Sequence, residues 1–272
     1  VQGNKTRSML SVRLSGLNAA QNALNTTSNE ISNVYTPGYN RELTLLGERS
    51  ASGGVQVNDI QRQYDYYVAD QLNAASSKSS GLQAYQTQIS QIDNLLADQE
   101  AGLAPLMQDF FSSLEDLAST PSDPAARQGV IGAADTLSAQ FRSFDNYLRD
   151  MQSGIDGNIR DEITQINNTA DQIANLNREI ALAKAKTGKA PNGLLNQRDQ
   201  LVAEISERVD VRLTIQESGT YNLSIGNGQP IVAGTRSFSL EAMTSSSDPT
   251  RLVVGYNDSA GNQVELDQGN IT

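Results

Sequence analysis

The side chains that could do chemistry in this sequence are carboxylates, because the chain contains no His and no Cys. Without imidazole and thiol groups it lacks the commonest general bases, nucleophiles and zinc ligands. Residues 156–158 (Asp-Gly-Asn), with Asp161 and Glu162, are similar to part of a calcium loop, but the ligand spacing and the terminal bidentate Glu do not fit. Adjacent acids such as Glu115 and Asp116 point in different directions on a helix and cannot share a proton. The sequence therefore predicts a protein that is not an enzyme, with no catalytic residue, metal ligand or cofactor.

The charge balance argues against two kinds of partner. The 31 acidic and 20 basic residues give a net charge of −11, and no basic run is present. Nucleic acid and anionic membrane surfaces are therefore disfavoured. No run of about eighteen apolar residues could span a bilayer, and residues 1–8 lack the apolar segment of a Sec-type signal. We expect a soluble chain that does not use the Sec pathway.

An apolar seam near the start of the chain is the strongest pattern. Apolar residues recur every seven positions from Leu10 to Ile31, whereas the opposite face is rich in Asn and Gln and almost uncharged. This repeat predicts a helix that packs against another helix, as in a coiled coil. Two interpretations remain open: the helix packs in the core of its own chain, or it packs against other copies. The candidate assembly-interface residues are Leu10, Leu14, Leu17, Leu24, Ile31 and Val34.

A rigid turn follows this helix. Pro37 fixes its own φ and disfavours helical geometry at Thr36, and Gly38 permits a sharp change of direction. The sequence therefore predicts that the helix stops before Pro37. The candidate residues of this signature turn, which include the end of the helix, are Ser28, Asn29, Asn33, Thr36, Pro37, Gly38 and Tyr39.

Residues 28–33 and 36–39 resemble the signature shared by the axial proteins of the bacterial flagellum, which include rod, hook and hook-associated proteins. Glu30 departs from this pattern, since the family more often carries Asn there. Further segments are similar to the hook-associated members of the family along the whole visible length. They lie at 16–21, 123–128, 147–150, 195–201 and 219–223.

The resemblance implies a structural subunit of the junction between hook and filament, whose terminal helices self-assemble into an inner tube. It implies copies of the same chain, the hook protein and the next hook-associated protein as partners, and an export chaperone before secretion. Export would use the flagellar type III pathway, which places the protein in the extracellular flagellum and links it to motility. The family also has a second heptad helix at the carboxyl end, which is not visible here, so we expect this chain to be part of a longer protein. The alternatives left open are another axial subunit and a secreted, adhesin-like helical binding module.

The remaining helices and strands of the chain are predicted from hydrophobic periodicity and turn residues. The longest helical pattern starts with Asp123 as cap and Pro124 as first residue, and it is either unbroken or divided near Gly154 and Gly157. Strand-like alternation begins at Asp210. The other predicted elements are a β-hairpin or extended linker at 42–58 and helices from about Asp59 to Leu96, from 105 to 118 and from 193 to 209.

These elements together predict a fold that is mainly α with a β part. We expect an elongated bundle of long helices, preceded by the amino-terminal heptad helix and followed by a small antiparallel β domain. The predicted domains are an axial-core helix and turn at 1–41, a long-helix bundle with its hairpin linker at 42–209, and an incomplete antiparallel β domain at 210–272.

Overall fold

The computed structural model describes residues 2–49, 53–96, 102–226 and 228–266. These residues form long helices and antiparallel strands, so the predicted fold class, mainly α with a β part, is confirmed. None of the described helices combines the length and the apolar character needed to cross a membrane. The helices are α1 (Gln2–Asn33), α2 (Tyr66–Leu96), α3 (Leu103–Ser119), α4 (Pro124–Thr187) and α5 (Asn192–Ser206). The strands are β1 (Glu42–Glu48), β2 (Val55–Arg62), β3 (Val211–Ile215), β4 (Tyr221–Ile225), β5 (Gln229–Ala233), β6 (Arg236–Ser237), β7 (Leu240–Thr244), β8 (Leu252–Asn257) and β9 (Gln263–Glu265).

The hairpin of β1 and β2 extends further than predicted, and the helix after it starts later. The expected helix start at Asp59 is wrong, because Asp59 lies in β2 and pairs with Leu45 of β1. The helix begins at Tyr66, and the Asp65 Oδ1 atom accepts the backbone N–H groups of Tyr67 and Val68 at 3.0 and 3.2 Å. This aspartate satisfies two donors that a helix start leaves without partners.

The long helix α4 is unbroken. It contains 64 residues, a length of about 96 Å by helical rise. Asp123 caps it by accepting the backbone N–H of Ala125 at 2.8 Å, and Pro124 occupies the first helical position, where no N–H is needed. Gly154 and Gly157 lie inside the helix, so of the two arrangements open from the sequence the undivided one is observed.

The strands after α5 form two sheets. The first has the strand order β3-β4-β5-β6 and the second has the order β7-β8-β9, and all neighbouring strands are antiparallel. Within the described ranges no ladder joins the two sheets. The sequence predicted one β domain at 210–272, of which residues 267–272 lie outside the described residues.

By its internal contacts the chain divides into two compact units. The described part of the first unit comprises residues 2–49, 53–77, 165–226 and 228–239, and that of the second comprises 78–96, 102–164 and 240–266. The three domains predicted from the sequence divide the chain differently and remain a prediction. The surface described below lies entirely in the first unit.

The core of the first unit takes its most buried side chains from α4, α5 and the first sheet. Ile173, Ile205, Leu223 and Val232 are each almost fully buried. Along β4 buried residues alternate with half-buried ones, as expected for a strand with one face against a core. This core packs residues 165–187 of α4 and the buried face of α5 with the first sheet.

Candidate assembly surface

The helix α1 rests on the β1–β2 hairpin through a narrow polar stripe. The Ser15 hydroxyl accepts the backbone N–H of Val55 at 3.2 Å, and the Thr44 hydroxyl donates to the Thr26 hydroxyl at 2.8 Å. Between them Ala19 is 3% exposed. The helix is therefore attached to its own chain through small and polar residues.

The apolar seam lies on the exposed part of α1. Its six side chains have exposed fractions between 59 and 71%. An apolar stripe of this length on a helix normally faces a partner. No described residue covers the seam, and both interpretations of α1 that the sequence left open remain predictions. The exposed seam residues are Leu10, Leu14, Leu17, Leu24, Ile31 and Val34.

Glu30 joins the end of α1 to the turn and the hairpin. Its Oε1 atom accepts the Tyr39 hydroxyl at 2.7 Å and the backbone N–H of Glu42 at 2.7 Å. Burial, and next the hydrogen bond to Glu30, raises the pKa of Tyr39. The sequence marked Glu30 only as a departure from the family pattern. The helical spacing of Glu30 from Ser15, Ala19 and Thr26 was the available signal that it faces the hairpin.

The signature turn is closed by its own backbone. The Thr36 N–H donates to the Asn33 carbonyl at 2.9 Å, and the Tyr39 N–H donates to the Thr36 carbonyl at 3.2 Å. The Thr36 hydroxyl also donates to the Asn33 Oδ1 atom at 3.1 Å. Asn33, Thr36 and Tyr39 thus come together in the turn, whereas the side chains of Ser28 and Asn29 are exposed on α1.

Gly38 is required in this turn for two reasons. It has a φ of +75°, and a Cβ atom added there would lie 2.7 Å from the Gln200 Oε1 atom of α5. A positive φ disfavours any residue with a side chain. The close approach also brings the turn against α5.

We expect Gly38→Ala to destabilise the first unit by about 1–3 kcal/mol, through strain in φ and displacement of Gln200. The matched control is Gly219→Ala, which has a φ of +83° with no atom within 4 Å of the added Cβ. Urea unfolding of both variants separates the two causes. An equal loss of stability in both would show that contact with α5 contributes nothing.

The hairpin is held to α5 by a set of polar contacts. The Arg62 guanidinium forms an ion pair with Asp199 and donates to the Asn196 Oδ1 atom at 3.1 Å. The Asn40 amide donates to the same Asn196 oxygen at 2.9 Å, and the Asn192 amide donates to the Ile60 carbonyl at 2.8 Å. Arg62 and Asp199 are both largely buried. None of these five polar residues was predicted as functional.

Asp199 extends this set into a buried network beneath α5. Its Oδ1 atom accepts the Tyr221 hydroxyl at 2.7 Å, and the Arg198 guanidinium stacks 3.4 Å from the centre of the Tyr221 ring. Asn177 of α4 accepts from Arg198 at 2.9 Å and donates to the Tyr221 carbonyl at 2.8 Å. Burial lowers the pKa of Arg198. The network connects the hairpin with α4, α5 and β4. It therefore holds in place the β1–β2 hairpin that α1 contacts.

We expect the stability of the first unit to fall as the pH rises above about 10, the ordinary tyrosine pKa. Burial, followed by the charge of Asp199, raises the pKa of Tyr64 to about 12, and burial also raises the pKa of Tyr221. Above about pH 10 the unfolded chain loses the hydroxyl protons of Tyr64 and Tyr221, whereas the folded chain still keeps them. Their contribution to stability is therefore complete below about pH 10 and is lost as the pH rises towards the folded pKa.

Urea unfolding between pH 8 and about 11.5 checks this dependence. Tyr64→Phe keeps the ring beside Arg62, whose guanidinium carbon lies 4.4 Å from the ring centre, but removes the titrating hydroxyl. The variant should lose less stability with rising pH, whereas Tyr85→Phe at an exposed ring should behave as the parent chain. If Tyr64→Phe showed the same pH dependence as the parent chain, the Tyr64 hydroxyl would not be a source of the loss of stability at high pH.

Comparison with known families decides what kind of chain carries this surface. The helical domain of the flagellar hook-associated protein FlgK matches residues 89–272, and the flagellar basal body rod protein family matches residues 10–40. The chain belongs to the FlgK family. The second match covers the seam and the signature turn, which agrees with the predicted resemblance of this segment to axial proteins.

Curated members of the FlgK family are similar to the chain over almost its whole length. Flagellar hook-associated protein 1 of Salmonella typhimurium is 44% identical over 268 residues, which cover 95% of this chain and 48% of that protein. The Escherichia coli protein of the same name is 43% identical over 95% of this chain and 49% of its own length. The chain thus spans about half the length of these relatives. Their names refer to flagellar components and not to a reaction.

A solved FlgK structure confirms the fold. The flagellar hook junction protein FlgK from Burkholderia pseudomallei superimposes with a TM-score of 0.69 at 32% sequence identity. The match covers 75% of this chain and 37% of that chain. The mainly helical architecture with antiparallel sheets is therefore that of the FlgK family.

Proposed function

We propose that the chain is part of a structural subunit at the junction between the flagellar hook and the filament, in which α1 is the helix that assembles. The observation that carries the proposal is the exposed seam, since α1 docks on its hairpin by a polar stripe and leaves six apolar side chains uncovered by the described residues. Burial of a leucine side chain contributes about 1.5–3 kcal/mol. Contact between seams of different copies, or with a further helix of the same subunit, would supply that burial.

The proposed partners follow from the family. They are copies of the same subunit, the hook protein on one side, the next hook-associated protein on the other, and an export chaperone before secretion. We propose export by the flagellar type III pathway to the extracellular flagellum. In this role the protein binds and positions other subunits and is not an enzyme.

The proposed location is tested on isolated flagella. Antibodies raised against the purified chain should label the boundary between hook and filament, and antibodies absorbed with the same chain serve as the control. Labelling along the filament or on the basal rod would assign the subunit to a different axial position. Absence of label from flagella, with the protein found free in the medium, would contradict an assembly function.

A further inference from the structure

A groove lies beside the signature turn, between that turn, α4 and α5. It has a volume of about 630 Å³. Pro37 and Gly38 line it, as do Leu176 and Leu201, which are both half-buried. Asn33, the last residue of α1, also lines the groove and directly precedes the seam residue Val34. The carboxyl end of α1 therefore adjoins a depression on the first unit.

Exposed amide side chains also line the groove. Gln172, Asn175 and Gln197 line the groove, are exposed, and form no side-chain hydrogen bond with any described residue. Amides can donate to and accept from another protein surface at once. Apolar residues at the centre with polar residues at the rim are characteristic of protein–protein interfaces.

The distribution of charge indicates which surface the groove receives. Residues 1–41 contain four basic residues and one acidic residue, whereas residues 42–272 contain sixteen basic and thirty acidic residues. Glu179 lines the groove and has no ion-pair partner among the described residues. Arg13 is exposed on α1 and also has none. The basic excess of residues 1–41 is complementary to Glu179, and Arg13 supplies an exposed positive charge on α1 itself.

We propose that this groove receives the α1 helix of a second copy, with Arg13 of that copy next to Glu179. The proposal rests on the proposed function and extends the subunit interface from the seam onto α4 and α5. Within one chain the two residues cannot meet by way of α1, because Arg13 precedes the groove-lining Asn33 by 20 residues of one helix, which is about 30 Å. Contact between them would therefore report on two copies.

Cross-linking tests the contact directly, because the chain has no cysteine of its own. Chains carrying Arg13→Cys are mixed with chains carrying Glu179→Cys and treated with a short bismaleimide. We expect a covalent heterodimer, because this linker spans the Cα separation of an Arg–Glu contact, whereas a direct disulfide needs Cα atoms within about 7 Å. Glu217→Cys at the exposed β3–β4 turn is the matched control and should give only background product. Equal yields with Glu179→Cys and Glu217→Cys would overturn the proposal.

A charge reversal separates this proposal from the proposed function. Arg13→Glu or Glu179→Lys alone should weaken self-association measured by sedimentation by about tenfold, and the double variant should restore it. Glu217→Lys changes the net charge equally and should have no effect. If Glu179→Lys associates normally while seam variants do not, the groove proposal fails and the assembly function stands. If seam variants also associate normally, the assembly function fails.

Discussion

Replacement of Leu17 and Leu24 by aspartate should abolish attachment of the filament to the hook while leaving the chain folded. Both side chains belong to the seam, with exposed fractions of 65 and 70%. In the free chain the new carboxylates stay in water and cost little. In an assembled seam these carboxylates would be buried without a cation, which costs about 3–5 kcal/mol each.

The effect is measured in flagellated cells that lack their own hook-associated protein 1 and express the full-length protein with these substitutions. Motility and electron microscopy report assembly, secreted protein reports export, and circular dichroism of the purified chain reports folding. The matched control is Asn18→Asp with Asn25→Asp, which adds the same charge at exposed positions of the polar face of α1. Normal filaments with the seam variant would refute a role of the seam in assembly.

Arg62→Met should cost the first unit about 3–5 kcal/mol of stability, because it leaves the buried carboxylate of Asp199 without its cation. The side chains of Arg62 and Asp199 are 10 and 6% exposed. Methionine keeps much of the apolar volume of arginine, so the loss would arise mainly from the missing charge and hydrogen bonds.

The control for Arg62→Met is Arg149→Met. Arg149 pairs with Asp145 at 2.9 Å on the exposed surface of α4, and loss of such a pair costs at most about 1 kcal/mol. Urea unfolding followed by circular dichroism compares the two variants. Equal and small effects would show that the polar contacts between hairpin and α5 do not hold α1 in place.

The seam was predictable from the sequence because it depends on one helix alone. A seven-residue repeat fixes which side chains share a face, whatever the helix contacts. Residues that end or start a helix were predictable for the same reason at Pro37 and Asp123. Periodicity could not show whether the seam is buried in its own chain, since both interpretations require the same repeat.

The contacts that hold α1 to the body were not predictable from local pattern. Arg62 and Asp199 are separated by 137 positions, and Tyr221 reaches Asp199 from another element. No periodic signal links residues at such distances. The late start of α2 was missed because β2 continues past the expected hairpin, and a register shift at Leu45 and Leu46 interrupts the alternation that would have marked the ladder.

The role of Glu30 could not be predicted from the family pattern either. The sequence showed only that this residue departs from the family pattern, yet it accepts both the Tyr39 hydroxyl and the Glu42 N–H. A shorter Asn side chain could not make the same two contacts from that position without movement of the turn. The residue type was therefore informative only when its hairpin neighbours were known.

Amide hydrogen exchange of α1 as a function of protein concentration tests the central claim that the seam is a contact between subunits. In a dilute monomer the amides of Leu10–Ile31 should exchange much faster than those around Ile173 in α4, because a helix held by one polar stripe opens locally. As copies associate, protection should rise in α1 and stay constant around Ile173. Uniform, concentration-independent protection of α1 in the dilute monomer would contradict the account.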